Sequence, residues 1–258
     1  MVQSEGSMED RFRLLKRIGF DGVEMESPND YDEAEVLRLS REVGLPVHGA
    51  VNSVHWQTRL SDPSPEVRAR AQQALITAIE ETYAMGGDAV LLVPGRVSGP
   101  GESAAAVEER SITGIRAALP TAAKLGVRIL IENVWNRFLY DHDGGPDQSA
   151  DALAAYLDGF QSPWVGCYFD IGNHRKYGKP EEWIRTLGRH VVKLDVKDWG
   201  VAEGWTKIGD GDVDWAAVRA ALREVRFTGW ATAEVAGGGE ERLADIYARM
   251  SRCLRAPS

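Results

Sequence analysis

The feature that most restricts what this chain can become is a phrase that keeps returning: a helical stretch closes on glycine and a short run of Val, Leu and Ile follows at once, as in EVGLPVHG, AMGGDAVLL and KLGVRILIE. Helical periodicity gives way to a continuous apolar run within a few residues, which is the pattern of repeated βα units. Strands that are apolar on both faces belong to a sheet covered on both sides, and such sheets are parallel. Seven of these strands can be read, at residues 22–27, 45–51, 88–95, 127–134, 165–173, 191–198 and 228–235. Helices are expected at 8–18, 32–43, 65–86, 104–125, 148–160, 180–188, 214–225 and 239–254. Ser64 supplies a capping hydroxyl ahead of Pro65 at a first helical position, and Gly19, Gly44, Gly86 and Gly126 stand where helices should end.

Eight helices and seven strands imply one more strand before the first helix, and only residues 1–4 are available for it, so that strand is expected to be short or truncated. The strands continue without the order reversal or Gly-rich phosphate loop of a doubly wound nucleotide fold. The expected architecture is therefore α/β, a single-domain (β/α)8 TIM barrel over residues 1–258. The loops at 97–103 and 141–149, rich in Gly, Pro, Ser and Asp, should lie on its catalytic rim.

Composition narrows the function. A formal net charge of −9 and the lack of any Lys/Arg run argue against nucleic acid as a partner. No run of 18 or more apolar residues suggests a membrane span. Two cysteines, Cys167 and Cys253, make neither a disulfide framework nor a metal cluster, so a soluble protein of the reducing cytoplasm is expected. Homo-oligomerisation is compatible with this reading.

Active sites of such barrels form at the C-terminal ends of the strands. Four late strands each bring an acid there: Glu132 in ILIEN, Asp170 in CYFDIGN, Asp195 in KLDVKD and Glu234 in ATAEVAGG. Each is set in apolar sequence at a position that should point inward, where an isolated charge is costly to desolvate. A salt bridge at the barrel mouth would answer for any one of them. Four in register point instead to one hard divalent cation, Mn2+ or Mg2+, held by oxygen ligands.

These residues resemble the sugar phosphate isomerase/epimerase group of xylose isomerase-like barrels, which includes ketose 3-epimerases, hydroxypyruvate isomerase and inosose dehydratase. The likeness runs from KRIGFDGVEMESP to GDGDVDWAAVRAALREVRFTGWATAEV, and its most specific pieces are IENVWNRF, YFDIGN and KLDVKDW. The resemblance implies that Glu132, Asp170, Asp195 and Glu234 hold one metal ion, and that Glu132 and Glu234 also act as an acid/base pair. The chain departs from the ketose epimerases in three places. Asp195 replaces a histidine ligand, Asn173 stands where a histidine contacts substrate, and Leu139 replaces a glutamate of the EVLNRFE element. His190, five residues before Asp195, falls at the wrong end of its strand to substitute.

Four carboxylates around one divalent cation call for nearby positive charge, for which Lys197, His48, His55 and Arg137 are the candidates. His48, His55 and Trp56 are expected near the mouth with Asn52, and together with Asn136, Asn173 and Lys197 form the expected substrate-binding set. The alternative for either histidine is a structural bond to backbone. Trp56, Trp135, Trp199 and Trp205 fall in βα loops, where an aromatic face can pack on a sugar ring, whereas Trp164, Trp183, Trp215 and Trp230 read as core. Asp212 or Asp214 should cap the helix after KIGDGDVDW.

The expected chemistry is proton abstraction next to the carbonyl of a sugar or keto-sugar, through an enediolate, in a metal-dependent isomerase or epimerase. The same site would serve a lyase or dehydratase if the enediolate expelled a leaving group, as for a keto-glycoside or inosose. An inactive sugar-binding barrel is the non-enzyme alternative. The related barrel endonucleases for abasic DNA have a histidine-rich multi-zinc site that five scattered histidines do not supply.

Overall fold

The helix boundaries follow local chemistry closely. In the computed structural model, which describes residues 2–3 and 5–255, the Ser7 hydroxyl accepts from the Asp10 amide while Asp10 answers with its carboxylate, a reciprocal cap that starts helix α1 (Met8–Ile18). Gly19, Gly44 and Gly126 end their helices in the left-handed conformation that only glycine adopts freely, as expected. After α1 come β1 (Val23–Ser27), α2 (Glu33–Val43), β2 (Val47–Asn52), α3 (Pro65–Ala84), β3 (Ala89–Leu92), α4 (Ala104–Leu125), β4 (Arg128–Glu132), α5 (Asp151–Asp158) and β5 (Val165–Asp170). They are followed by α6 (Ile171–Arg175), α7 (Pro180–Leu187), β6 (Val191–Val196), β7 (Asp198–Gly200), β8 (Gly204–Thr206), α8 (Trp215–Glu224), β9 (Ala231–Ala233) and α9 (Glu240–Leu254).

Seven strands pair in parallel in the order β1-β2-β3-β4-β5-β6-β9 and curl into a nearly closed TIM barrel with the helices outside. Strands β1 and β9, at the two ends of that order, face an open seam. The strand expected at 1–4 is reduced there to one parallel bridge between Val2 and Gly238, supported by the Gln3 amide on the Gly238 carbonyl at 3.1 Å. Met1 and Ser4 lie outside the described residues.

Most apolar burial is in the wall between strands and helices, where Leu75, Ile79, Ile115, Ile129, Ile131, Phe169 and Trp183 are almost fully enclosed. The lumen has its own small layer of Ala89, Leu91, Leu130 and Tyr168.

Several expected strands run past the observed ones. Residues 165–173 leave the sheet after Asp170, because the Asp170 carboxylate accepts from the Asn173 amide at 2.8 Å and caps α6. Residues 191–198 stop at Val196, and the next residues form the antiparallel hairpin β7–β8 rather than a plain loop. Asp198 sets that hairpin: its buried carboxylate accepts from the amides of Trp199, Gly209 and Val213 and from the Trp215 indole, at 2.8 to 3.3 Å. The 228–235 strand contracts to Ala231–Ala233, and Asp214 is the cap of α8.

Candidate active site

At the mouth, Glu132, Asp170, Asp195 and Glu234 each offer a carboxylate oxygen, all within 4.8 Å of one another. They come from the C-terminal reaches of β4, β5 and β6 and from the residue after β9. Glu132, Asp170 and Asp195 are buried, whereas about half of the Glu234 side chain (48%) faces the open mouth.

Lys197 lies between them, its Nζ 2.7 Å from Asp170 Oδ2 and 2.6 Å from Glu234 Oε2. Burial opposes its charge, but Asp170, Glu234 and Glu132 outweigh that and hold the ammonium well above the usual lysine range. The converse holds for the acids. Burial first, and then the Glu234 charge, push Glu132 well above the ordinary carboxylate range, and burial with Glu234 and Glu132 does the same to Asp195. Glu234 is raised to about 7 by burial and Asp170, against the pull of Lys197.

Asn173 ties the cluster together. Its Nδ2 donates to Glu132 Oε1 at 3.0 Å and to the Asn133 carbonyl at 3.2 Å, and its Oδ1 receives Lys197 at 3.4 Å. Helix α6 can approach β6 this closely because residue 172 is glycine, where a Cβ would stand 2.5 Å from Lys197 Cβ. Asn133, which the sequence did not single out, holds Asp170 from both sides. Its Oδ1 accepts the Asp170 amide at 2.6 Å and its Nδ2 donates to the Asp170 carbonyl at 2.9 Å.

The donor set suits a hard divalent cation. Four carboxylates face one ammonium, and the buried Asp195 Oδ2 receives no hydrogen bond among the described residues.

The other expected residues divide. His48 is not at the mouth: as the second residue of β2 it lies at the opposite end, stacked on Trp230 with ring centroids 4.8 Å apart and bonded to Lys193 and Thr232. His55 lines the same cavity, but its Nδ1 accepts the Val93 amide at 3.2 Å, which is the structural alternative, and Trp56 stands edge-on to it. Burial keeps both imidazoles neutral, with His48 lowered to about 3 and His55 to about 4, so neither supplies positive charge. Asn136 shapes its own loop, accepting the amides of Phe138 and Leu139. Arg137 adopts a left-handed backbone (φ 62°) in that loop.

Trp135, Trp199 and Trp205 meet beside Lys197. Trp135 stacks on Trp205 at 5.5 Å, Trp199 is edge-on to both, and Trp205 is 51% exposed. Trp183 is core as expected, but Trp230 lines the cavity.

That cavity, about 1020 Å³, is lined by Glu132, Asp195 and Glu234 at one end and extends toward the open seam. Glu24 also lines it, a residue missed from the sequence although GVEME alternates Glu24 and Glu26 on one face of β1.

The chain belongs to the xylose isomerase-like TIM barrel family, whose model matches residues 12–256. Among curated proteins it is 25% identical over 234 residues to the L-ribulose-5-phosphate 3-epimerase UlaE of Escherichia coli O1:K1, covering 85% of this chain and 79% of that protein. Among solved structures it superposes on an L-ribulose 3-epimerase with a TM-score of 0.76 at 18% identity, over 98% of this chain and 91% of the other. It also superposes on the 3-keto-D-glucoside 4-epimerase YcjR of E. coli with a TM-score of 0.76 at 17% identity, over 98% and 97% of the two chains. These superpositions establish the fold.

Proposed function

We propose that this protein is a divalent-metal-dependent isomerase or epimerase of a sugar or keto-sugar, acting by proton transfer at the carbon next to a carbonyl. The observation that carries the reading is the convergence of Glu132, Asp170, Asp195 and Glu234 at the mouth of a barrel, in a family whose compared members include epimerases of ribulose, ribulose 5-phosphate and a 3-keto-glucoside. A Mn2+ or Mg2+ ion held by these four would polarise the carbonyl and offset the charge of the enediolate. Glu132 and Glu234 belong to different strands and are both raised toward neutrality, so each is suited to hold a proton at one stage and release it at another. One removes the proton and the other returns it, and return from the opposite face inverts the carbon. Asp170, fixed by Asn133 and by the α6 cap, serves as a ligand without moving a proton.

Lys197 offsets charge in the cluster and, at its edge, reaches substrate oxygen together with Asn173. Asp195 in place of histidine adds negative charge to the set.

The test is hydrogen–deuterium exchange at the carbon next to the carbonyl, with Mn2+ and a panel of ketoses and 3-keto-glycosides in deuterated water. Glu132→Gln and Glu234→Gln should each abolish exchange. Full exchange in either variant removes that residue from the mechanism, and loss of an aglycone or of water would reassign the enzyme as a lyase or dehydratase.

A further inference from the structure

The hairpin β7–β8 carries apolar surface that its own fold does not require. Asp198 already anchors it through four hydrogen bonds, yet Val201 is 67% exposed and Trp205 51%, two of the three large apolar side chains that stand out in solvent among the described residues. Trp205 is paired across the hairpin with Trp199, a contact that helps hold the two strands together. That contact leaves the open half of the Trp205 side chain unexplained. Exposed aromatic surface beside a polar site is where a ligand ring packs.

The tryptophans are tied to the carboxylate cluster at two points. Trp135 Nε1 donates to the Asn173 carbonyl at 2.6 Å, and the Asn173 amide donates to Glu132 at 3.0 Å. Trp135 in turn stacks on Trp205, with 17° between the ring planes. At the second point, Lys197 Nζ is 5.3 Å from the Trp205 ring centroid and 2.6 Å from Glu234 Oε2. The ring therefore lies nearer that carboxylate than a disaccharide is long. The three tryptophans follow β4 and β6, and the large cavity runs from the carboxylates the other way, toward the seam between β1 and β9. Beside Trp135, Lys176 Nζ stands 4.8 Å from that ring and 5.2 Å from the Tyr177 ring. Lys176 is exposed and makes neither an ion pair nor a side-chain hydrogen bond among the described residues.

From this we infer that the tryptophan face is a second-ring subsite: the substrate is a glycoside whose keto-sugar ring reacts at the carboxylates while a second sugar ring, attached at the anomeric carbon, lies on Trp205. The inference rests on the sugar isomerase or epimerase reading for the reacting ring. A sugar ring has both features that this face can use, an apolar C–H side for the indole and oxygens that accept from the Lys176 ammonium. A hydrocarbon offers only the first. A free ketose has no second ring to offer. Trp135 and Trp199 hold the Trp205 indole in place, so stacking on it immobilises little that was free before. Trp205 and Lys176 select the substrate and take no part in moving the proton.

The experiment measures binding and exchange separately on the full chain with Mn2+, using three 3-keto-glucosides that share one reacting ring and differ in the aglycone: methyl, phenyl and glucosyl. The wild type should bind the glucosyl compound at least about tenfold more tightly than the methyl one. Trp205→Ala should shrink that ratio about tenfold, Trp205→Phe should shrink it less, and Lys176→Met should shrink it about threefold. A ratio compares two ligands on one protein, so a loss of folded material leaves it unchanged. Light scattering on each variant reads the oligomeric state alongside.

Equal binding of the methyl and glucosyl compounds by the wild type, or a ratio unmoved by Trp205→Ala, would overturn the subsite. So would a phenyl compound that binds as tightly as the glucosyl one and ignores Lys176→Met, because the second ring is then not a sugar. A changed oligomeric state in Trp205→Ala with the ratio unmoved would give the face to a second copy of the chain instead. Trp205-dependent binding without exchange in any of the three compounds leaves the subsite standing and removes the proposed reaction. Exchange without preference does the reverse.

Discussion

Replacing Lys197 by methionine keeps most of the side-chain volume and removes the one ammonium that sits among the four carboxylates. Its Nζ lies 2.7 Å from fully buried Asp170 and 2.6 Å from Glu234. Removing one partner of a buried ion pair typically costs about 3–5 kcal/mol, because the other charge is left uncompensated. Here the acids can limit the loss by taking up protons, so the cost should depend on pH.

The sign follows from the raised carboxyls. Glu234 already holds its proton up to about 7 in the folded chain, and without Lys197 it holds it higher still. The folded variant then binds a proton that the unfolded chain has released, and its stability falls as pH rises, by at most about 1.4 kcal/mol per pH unit for one proton. Half of the Glu234 side chain faces solvent, which trims the slope to roughly 0.5–1 kcal/mol per unit. In urea unfolding with a chelator, the gap between Lys197→Met and wild type should therefore widen from pH 7 to pH 8, and saturating Mn2+ should narrow it. Parallel curves across that range, unmoved by Mn2+, would refute the electrostatic account and leave Lys197 as packing.

Three further outcomes follow from the site and its supports. Asp198→Ala leaves the amides of Trp199, Gly209 and Val213 and the Trp215 indole without their acceptor, and should lower the unfolding free energy by about 3–5 kcal/mol in urea titration; a loss below about 1 kcal/mol would show that the hairpin holds itself. His174 is fully buried, has no hydrogen-bond partner on either ring nitrogen among the described residues, and is pushed down to about 3 by burial. The unfolded chain takes up that proton below about 6.5 and the folded one refuses it, so this residue costs stability as pH falls through that window, and His174→Leu should flatten the acid side of the stability curve. Mn2+ at a hundredfold excess over its dissociation constant should add about 2.7 kcal/mol to the wild type, and the same metal concentration should add markedly less to Asp195→Asn, read by thermal unfolding; equal gains in both would take Asp195 out of the ligand set.

The sequence carried the local rules. Apolar runs after helix-ending glycines showed a parallel, doubly covered sheet, and Ser64 with Pro65 and the glycines at 19, 44 and 126 marked helix ends that the structure reproduces. It also showed the four acids, because a carboxylate in an apolar strand stands out against its neighbours whatever the fold.

What only the tertiary structure decided depends on which strand end faces the mouth and on contacts between residues far apart in the chain. His48 reads as a rim residue until β2 is seen to begin at Val47, which carries it to the floor. Asn173 reads as the end of a strand until Asp170 caps a helix and turns the amide onto Glu132. Lys197 and Glu234 are paired only because β6 and β9 are neighbours. The bond from Tyr168 to Glu24 spans 144 residues. No periodicity records such a contact; the closed curvature of the sheet creates it, by pointing alternate residues of every strand at one axis.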